Sequence, residues 1–228
     1  MHYVVSTDTG GTFTDAVILD EKGHISIGKA TSTPKNLSIG IIGAVAVAAK
    51  QMGLNAQTIL QNCAVFLNGT TVGTNALIER KGAKTGLIIT KGFEDTLAIG
   101  RVKGRWIGRS EAELINIQRS DWPKPIVPRN LIRGILERID YQGRVLCPID
   151  LENVRDRIDE LIDEGIEALA VSFLWSFKNP VHERIVRDFV IKEYPQLYLT
   201  ISSEIAPVIM EYERTSTTVV NSYLGIVL

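Results

Sequence analysis

Short apolar runs punctuated by glycine open the chain. His2–Asp8 is rich in β-formers and stops at Gly10-Gly11, Ala16–Asp20 is a second apolar run, and Ile25–Ala30 follows the turn Glu21-Lys22-Gly23. Such spacing predicts an antiparallel meander whose first turn is built of Gly, Gly and Thr. The period then changes. Leu37, Ile41, Val45, Ala48 and Met52 share one stripe at helical spacing, so a helix is expected over 37–52, with Asn36 or Ser38 as its cap and Gly53 as its stop.

Beyond that helix the elements alternate. Ala64–Leu67 reads as a short buried strand, Thr74–Lys81 as a helix ended by Gly82, and Thr85–Thr90 as a second buried strand. Residues 100–128 have no clear period and hold Trp106, Trp122 and three prolines, which reads as an irregular excursion. Its basic residues Arg101, Lys103, Arg105 and Arg109 suit either a solvated loop or an anion-binding one. Ile135–Asp140 and Arg144–Ile149 flank Tyr141-Gln142-Gly143 as a hairpin. Asp150 caps a helix with Leu151, Val154, Ile158, Leu161 and Ile162 inward, closed by Gly165. Ala168–Leu174 is a strand, Asn179-Pro180 opens a helix with the stripe Val181, Ile185, Phe189 and Val190, and Leu197–Ile201 is a strand again. A β-α-β-α-β series implies a mainly parallel sheet with right-handed crossovers. Glu211–Leu224 reads as a last helix whose many hydroxyls can face a cleft, a missing part of the protein or solvent. The apolar tail Gly225–Leu228 is expected of a fragment rather than of a native terminus.

Composition narrows the class. The chain has 228 residues, 45% hydrophobic and 22% charged, which supports a full core and argues against disorder. A net charge of −1 gives no basic field for nucleic acid or an anionic membrane. The apolar stretch Ile39–Ala49 falls short of the roughly 18 residues that a membrane span needs. Cys63, Cys147 and three histidines make neither a disulfide framework nor a zinc site. The start lacks a charged segment followed by an apolar one, as a secretion signal would have. The expectation is a soluble, cytoplasmic α/β protein.

Two motifs carry candidate chemistry. Asp8-Thr9-Gly10-Gly11-Thr12-Phe13-Thr14-Asp15 sits on the first turn. Glycine lets backbone and phosphate approach closely, successive N–H groups form an anion nest, and Thr12 and Thr14 add hydroxyls. Asp8 can hold Mg²⁺ through water. A plain glycine-rich turn with a capping aspartate fits the same residues. There is no P-loop, dinucleotide fingerprint, zinc helix or serine elbow. The second motif, Asn68-Gly69-Thr70-Thr71-Val72-Gly73-Thr74-Asn75, lies where a strand opens a helix. It suits an anion or a polarised carbonyl, or simply capping.

These stretches resemble the N-terminal region of the hydantoinase A / 5-oxoprolinase / acetone carboxylase family. The resemblance rests on DTGGTFTDAV (8–17), STP (32–34), the run from Gly69 to Arg101, PIVPR (125–129), SFLWSFKNPVHE (172–183) and the run from Ser202 to Leu224. Many relatives carry histidine where this chain has Asn68. The resemblance implies an actin/Hsp70/sugar-kinase-like mixed sheet of the ribonuclease-H type with flanking helices. It implies an N-terminal domain over 1–200, with the excursion near 100–130, and the truncated start of a following domain over 201–228. It also implies ATP and Mg²⁺ as cofactors. Asp8 would be the metal-binding and catalytic carboxylate, and Gly10, Gly11, Thr12, Thr14 and Asp15 the nucleotide hairpin. Asn68, Gly69, Thr70, Thr71, Thr74 and Asn75 are expected to meet a small-molecule substrate. Family members phosphorylate a cyclic amide carbonyl, or a ketone and bicarbonate, and work with a second subunit or domain of the hydantoinase B type in an oligomer. A nucleotide-binding regulatory module without catalysis is the reading of another class.

Overall fold

The computed structural model describes residues 2–33, 36–101, 108, 110–115 and 124–227. The chain divides into two compact units, Met1–Lys81 and Gly82–Val227.

The first unit contains β1 (Tyr3–Thr9), β2 (Phe13–Asp20), β3 (Ile25–Thr31), α1 (Leu37–Gln51), α2 (Ala56–Gln61), β4 (Cys63–Thr70) and α3 (Val72–Ile78). Its sheet runs β3-β2-β1-β4, antiparallel except for the parallel pair β1–β4. The expected meander is present, with β2 three residues longer at its start than the apolar run suggested. Alternation divides the faces: Tyr3, Val5, Ala16 and Ile18 are buried under α1, while Val17, Leu19, Ile25 and Ile27 stay exposed. Each fully buried aliphatic side chain contributes about 1.5–3 kcal/mol.

Helix α1 begins where expected, with the Asn36 side chain accepting from the Ser38 N–H. Of the expected stripe, Val45 and Ala48 are buried and Leu37, Ile41 and Met52 half-buried; the small residues Gly40, Ala44 and Ala49 complete the buried face, while Ile39, Ile42 and Val47 face out. The cause is the short distance between helix and sheet. A Cβ at Gly28 on β3 would lie 2.1 Å from the Ala44 carbonyl oxygen and 2.5 Å from the Ala48 nitrogen. Only small residues fit that seam, so the bulky ones turn outward. Strand β4 also differs from the buried strand expected of Ala64–Leu67. It runs from Cys63 to Thr70 at the sheet edge, with Val65, Phe66 and Leu67 exposed. The unanticipated α2 is nucleated by Asn55, whose side chain accepts from the Thr58 N–H at 2.8 Å.

The second unit contains β5 (Thr85–Thr90), α4 (Thr96–Ile99), α5 (Glu111–Ile115), β6 (Ile132–Ile135), β7 (Arg138–Ile139), β8 (Val145–Cys147), α6 (Leu151–Asp163), β9 (Ala168–Ser172), α7 (Val181–Glu193), β10 (Tyr198–Ile201), α8 (Ser202–Ile205) and α9 (Glu211–Leu224). The expected parallel sheet is there, in the order β10-β9-β5-β6. Leu87, Ile88, Val154, Ile158, Leu161, Leu169 and Val171 form its core. The expected hairpin is split: Ile132–Ile135 joins the main sheet, and only β7 and β8 pair across Tyr141-Gln142-Gly143. Most of the basic excursion, including Lys103, Arg105, Arg109, Trp106 and Trp122, lies outside the described residues.

Helix α7 buries His182, Glu183, Val186 and Val190, a face rotated from the expected stripe, and Ile185 is exposed. Ionisable residues are tolerated inside because each is met. Glu183 accepts from the Phe173 N–H at 2.8 Å, the Ser202 hydroxyl at 2.6 Å and the Ser203 N–H at 2.7 Å. His182 Nδ1 lies 2.7 Å from the Glu137 carboxylate. Of the α9 hydroxyls, Thr215, Thr218 and Ser222 turn inward, while Thr217 is exposed. Thr215 Oγ1 is 2.8 Å from Ser172 Oγ, and Ser222 donates to the Leu169 carbonyl. Arg214 of the same helix is 2% exposed and donates to the carbonyls of Phe173 and Val208. Burial lowers the guanidinium pKa from its ordinary value, opposed by the charge of Glu183.

Candidate functional site

The β1–β2 turn places the first motif. In register, Asp8 stands opposite Asp15 and Thr9 opposite Thr14. Period-two alternation puts Thr7, Thr9 and Thr14 on the buried face and Asp8 on the exposed one. At the turn the Gly10 N–H donates to the Phe13 carbonyl at 2.9 Å, and Gly11 and Thr12 are exposed at its tip. Among the described residues, no backbone carbonyl accepts from the Gly11 or Thr12 N–H. Two adjacent free donors on a glycine turn are what an anion nest requires.

The two aspartates are not equivalent. Lys29, opposite Asp15 on β3, brings its Nζ to 2.8 Å from the Asp15 carboxylate. Asp8 has no ion-pair partner among the described residues. Like charges directly across a sheet repel, so a cation beside Asp8 would relieve the pair. No group of three or more metal-ligating side chains occurs among the described residues.

Thr14 is placed otherwise than as a ligand donor. It is wholly buried, and its Oγ1 lies 3.0 Å from Ser32 Oγ. Ser32, in the segment after β3, also donates from its hydroxyl to the Gly10 carbonyl at 2.7 Å and from its N–H to the Thr12 carbonyl at 2.9 Å. The motif at 8–15 does not reveal that Ser32 ties the turn; the signal is a small hydroxyl in the STP stretch, where the chain leaves a strand for a helix.

The second motif lies beside the first. Parallel pairing sets Gly69 opposite Asp8 and Thr70 opposite Thr9. Thr70 and Thr71 are taken up locally: the Thr70 hydroxyl and the Thr71 N–H both donate to the Thr9 carbonyl at 3.2 Å, and Thr70 Oγ1 accepts from the Val72 N–H. Asn68 accepts from the Thr7 hydroxyl at 2.8 Å, which engages its oxygen and leaves its amino group to point elsewhere. Thr74 is exposed on the first turn of α3. Asn75 reaches the glycine turn, since a Cβ on Gly11 would lie 3.4 Å from Asn75 Nδ2. The two motifs therefore meet at Gly11 and Asn75.

A family model described as the hydantoinase/oxoprolinase N-terminal region matches residues 4–194. The acetophenone carboxylase gamma subunit of Aromatoleum aromaticum is 40% identical over 226 residues, covering 96% of this chain and 31% of its own. Caprolactamase subunit alpha of Pseudomonas jessenii is 38% identical over 230 residues, covering 99% of this chain and 32% of its own. A nucleotide-free structure of acetone carboxylase, from work on ATP-dependent acetone carboxylation, superposes with a TM-score of 0.91 at 32% identity, over 99% of this chain and 32% of that one. The chain spans about a third of the length of these relatives.

Proposed function

The chain belongs to the hydantoinase/oxoprolinase N-terminal family, and from that premise we propose that it is the nucleotide-phosphate end of an ATP-dependent enzyme acting on a cyclic amide. The observation that carries the reading is the pairing of an open glycine turn with an exposed Asp8 that has no ion-pair partner among the described residues. In this reading the first unit, with its order β3-β2-β1-β4, is the phosphate-binding half of a ribonuclease-H-like, actin-type fold. A family domain boundary near residue 200 belongs to the same proposal.

Each residue has a task. The N–H groups of Gly11 and Thr12, with the Thr12 hydroxyl, hold phosphate oxygens. Asp8 holds Mg²⁺. Asp15, neutralised by Lys29, keeps a second negative charge away from the phosphates. Thr74 and Asn75 orient the substrate carbonyl toward the turn, with Asn68 and Gly69 along the same wall. Bound Mg-ATP would supply a phosphoryl group that turns the carbonyl oxygen into a leaving phosphate.

Two relatives favour different substrates. The 38% identity to a caprolactamase favours a cyclic amide, and the 40% identity to an acetophenone carboxylase subunit favours ketone carboxylation as the second reading. In either case the chain works with a partner subunit of the hydantoinase B type, in the cytoplasm, as part of an oligomer. Among the described residues no helix is long and apolar enough to cross a membrane. The test is ATP hydrolysis by the full-length protein with its partner. Stimulation by caprolactam, a hydantoin or 5-oxoproline supports the amide reading; stimulation by ketone plus bicarbonate supports the second. No response to either class would make the chain a regulatory nucleotide module.

A further inference from the structure

We propose that Ser32 is a positioning residue that holds the Gly10–Thr14 turn in the shape that accepts phosphate; the claim rests on the reading of that turn given above. Ser32 is 7% exposed and ties the turn at three points. Its N–H donates to the Thr12 carbonyl at 2.9 Å, its hydroxyl donates to the Gly10 carbonyl at 2.7 Å, and its Oγ lies 3.0 Å from Thr14 Oγ1.

The direction of these bonds follows from proton count. A hydroxyl has one proton, and a carbonyl can only accept. The Ser32 proton therefore goes to Gly10, and Thr14 gives its own proton to Ser32. Thr14 has none left for a ligand, so it acts through Ser32.

The consequence lies at the turn tip. In a closed two-residue hairpin the first closing residue exchanges both of its backbone groups with the last. Here only half of that exchange is made: the Gly10 N–H donates to the Phe13 carbonyl, while the Gly10 carbonyl is held by Ser32. The turn is opened on one side, with the Gly11 and Thr12 donors free. Helix α1 backs the latch. A Cβ at Gly40 would come within 3.1 Å of the Thr31 carbonyl oxygen and 3.3 Å of both Ser32 Cα and Thr14 Oγ1. The Gly40 N–H also donates to Thr33 Oγ1 at 3.1 Å. Ser32 is thus pressed between helix and turn, and it does not itself face the ligand.

The experiment uses the full-length protein with its partner subunit, as wild type, S32A and S32T. Deuterium exchange is followed for residues 9–14 and, as a folding control, for β9 and α6. Affinity is measured with a fluorescent ATP analogue and magnesium. In S32A, exchange at the Gly10 amide, which is bonded across the turn, should rise and nucleotide affinity should fall by about tenfold each, the size of one lost buried hydrogen bond. The control segments should not change, and S32T should restore both quantities. Unchanged exchange at 9–14 in S32A would overturn the latch. Faster exchange with unaltered affinity would overturn its link to phosphate, and an S32T protein as weak as S32A would overturn the role of the hydroxyl. If wild type binds no nucleotide while S32A still exchanges faster, the phosphate reading of the turn fails and takes this role with it, with the latch left as a structural device.

Discussion

Asp8 stands directly across the sheet from Asp15, yet among the described residues only Asp15 is matched by a cation, Lys29 at 2.8 Å. The arrangement is asymmetric in charge and exposed on one face. It therefore separates the stability of the strand pair from what the pair can bind.

Replacing Asp8 with Asn should abolish magnesium-dependent ATP turnover in the full-length protein. Without magnesium the same variant should melt slightly higher than wild type, because repulsion across the pair is relieved. Calorimetry with and without the ion, beside an ATPase assay, checks both; near-normal turnover would reject the role of Asp8.

The double change Thr74→Val, Asn75→Leu separates ligand contact from capping. The α3 N-cap, Thr71, makes no side-chain cap bond, and it is Thr70 that accepts from the Val72 N–H, so stability should change by less than about 1 kcal/mol. Substrate KM or kcat should worsen at least about tenfold, a lost polar contact of about 1.4 kcal/mol. A large fall in melting temperature with intact kinetics would make these residues structural.

Gly28→Ala tests the seam between α1 and β3. A methyl there would overlap the Ala44 carbonyl at 2.1 Å, and backbone cannot swing aside as a side chain can. The first unit should lose about 3 kcal/mol or more. A urea midpoint that does not move would mean that the helix can retreat without cost.

Asp140 provides an acid-sensitive turn between β7 and β8. The Arg144 N–H lowers its pKa below the ordinary 3.8; burial opposes this, while the Arg144 guanidinium and the Gln142 N–H add to it. A carboxyl lowered by folding stabilises fully above its ordinary value and loses that contribution as pH falls through its folded value. Wild type should therefore exceed Asp140→Asn in urea resistance by a constant margin from about pH 7 to pH 5, and the margin should close below about pH 4. A margin that persists in strong acid would contradict the charge-based account.

Much of this was legible in the residues. Gly and Asp marked the β1–β2 turn, Asp150 and Gly165 bracketed α6, and the apolar middles of β5 and β9 marked strands that are buried throughout, so local chemistry and final position agree. What was not legible depended on neighbours. The inward face of α1 is set by Gly28, 16 residues before Ala44, and the inward face of α7 by Glu137 and by the backbone at Phe173. Periodicity favours bulky residues as the core side, whereas a tight seam selects small ones and a buried acceptor selects an acid. At the site, the motif gave the donors of the turn, but the proton order that commits Thr14 to Ser32 appears only when the segment after β3 folds back.

The bare margin of β4 has a practical consequence. An edge strand whose middle reads Val65-Phe66-Leu67 offers, among the described residues, unpaired amides and greasy side chains together, the combination that recruits copies into fibrillar aggregates. Concentrated stocks of this polypeptide should cloud over time, and a lysine placed at position 67 should keep them clear.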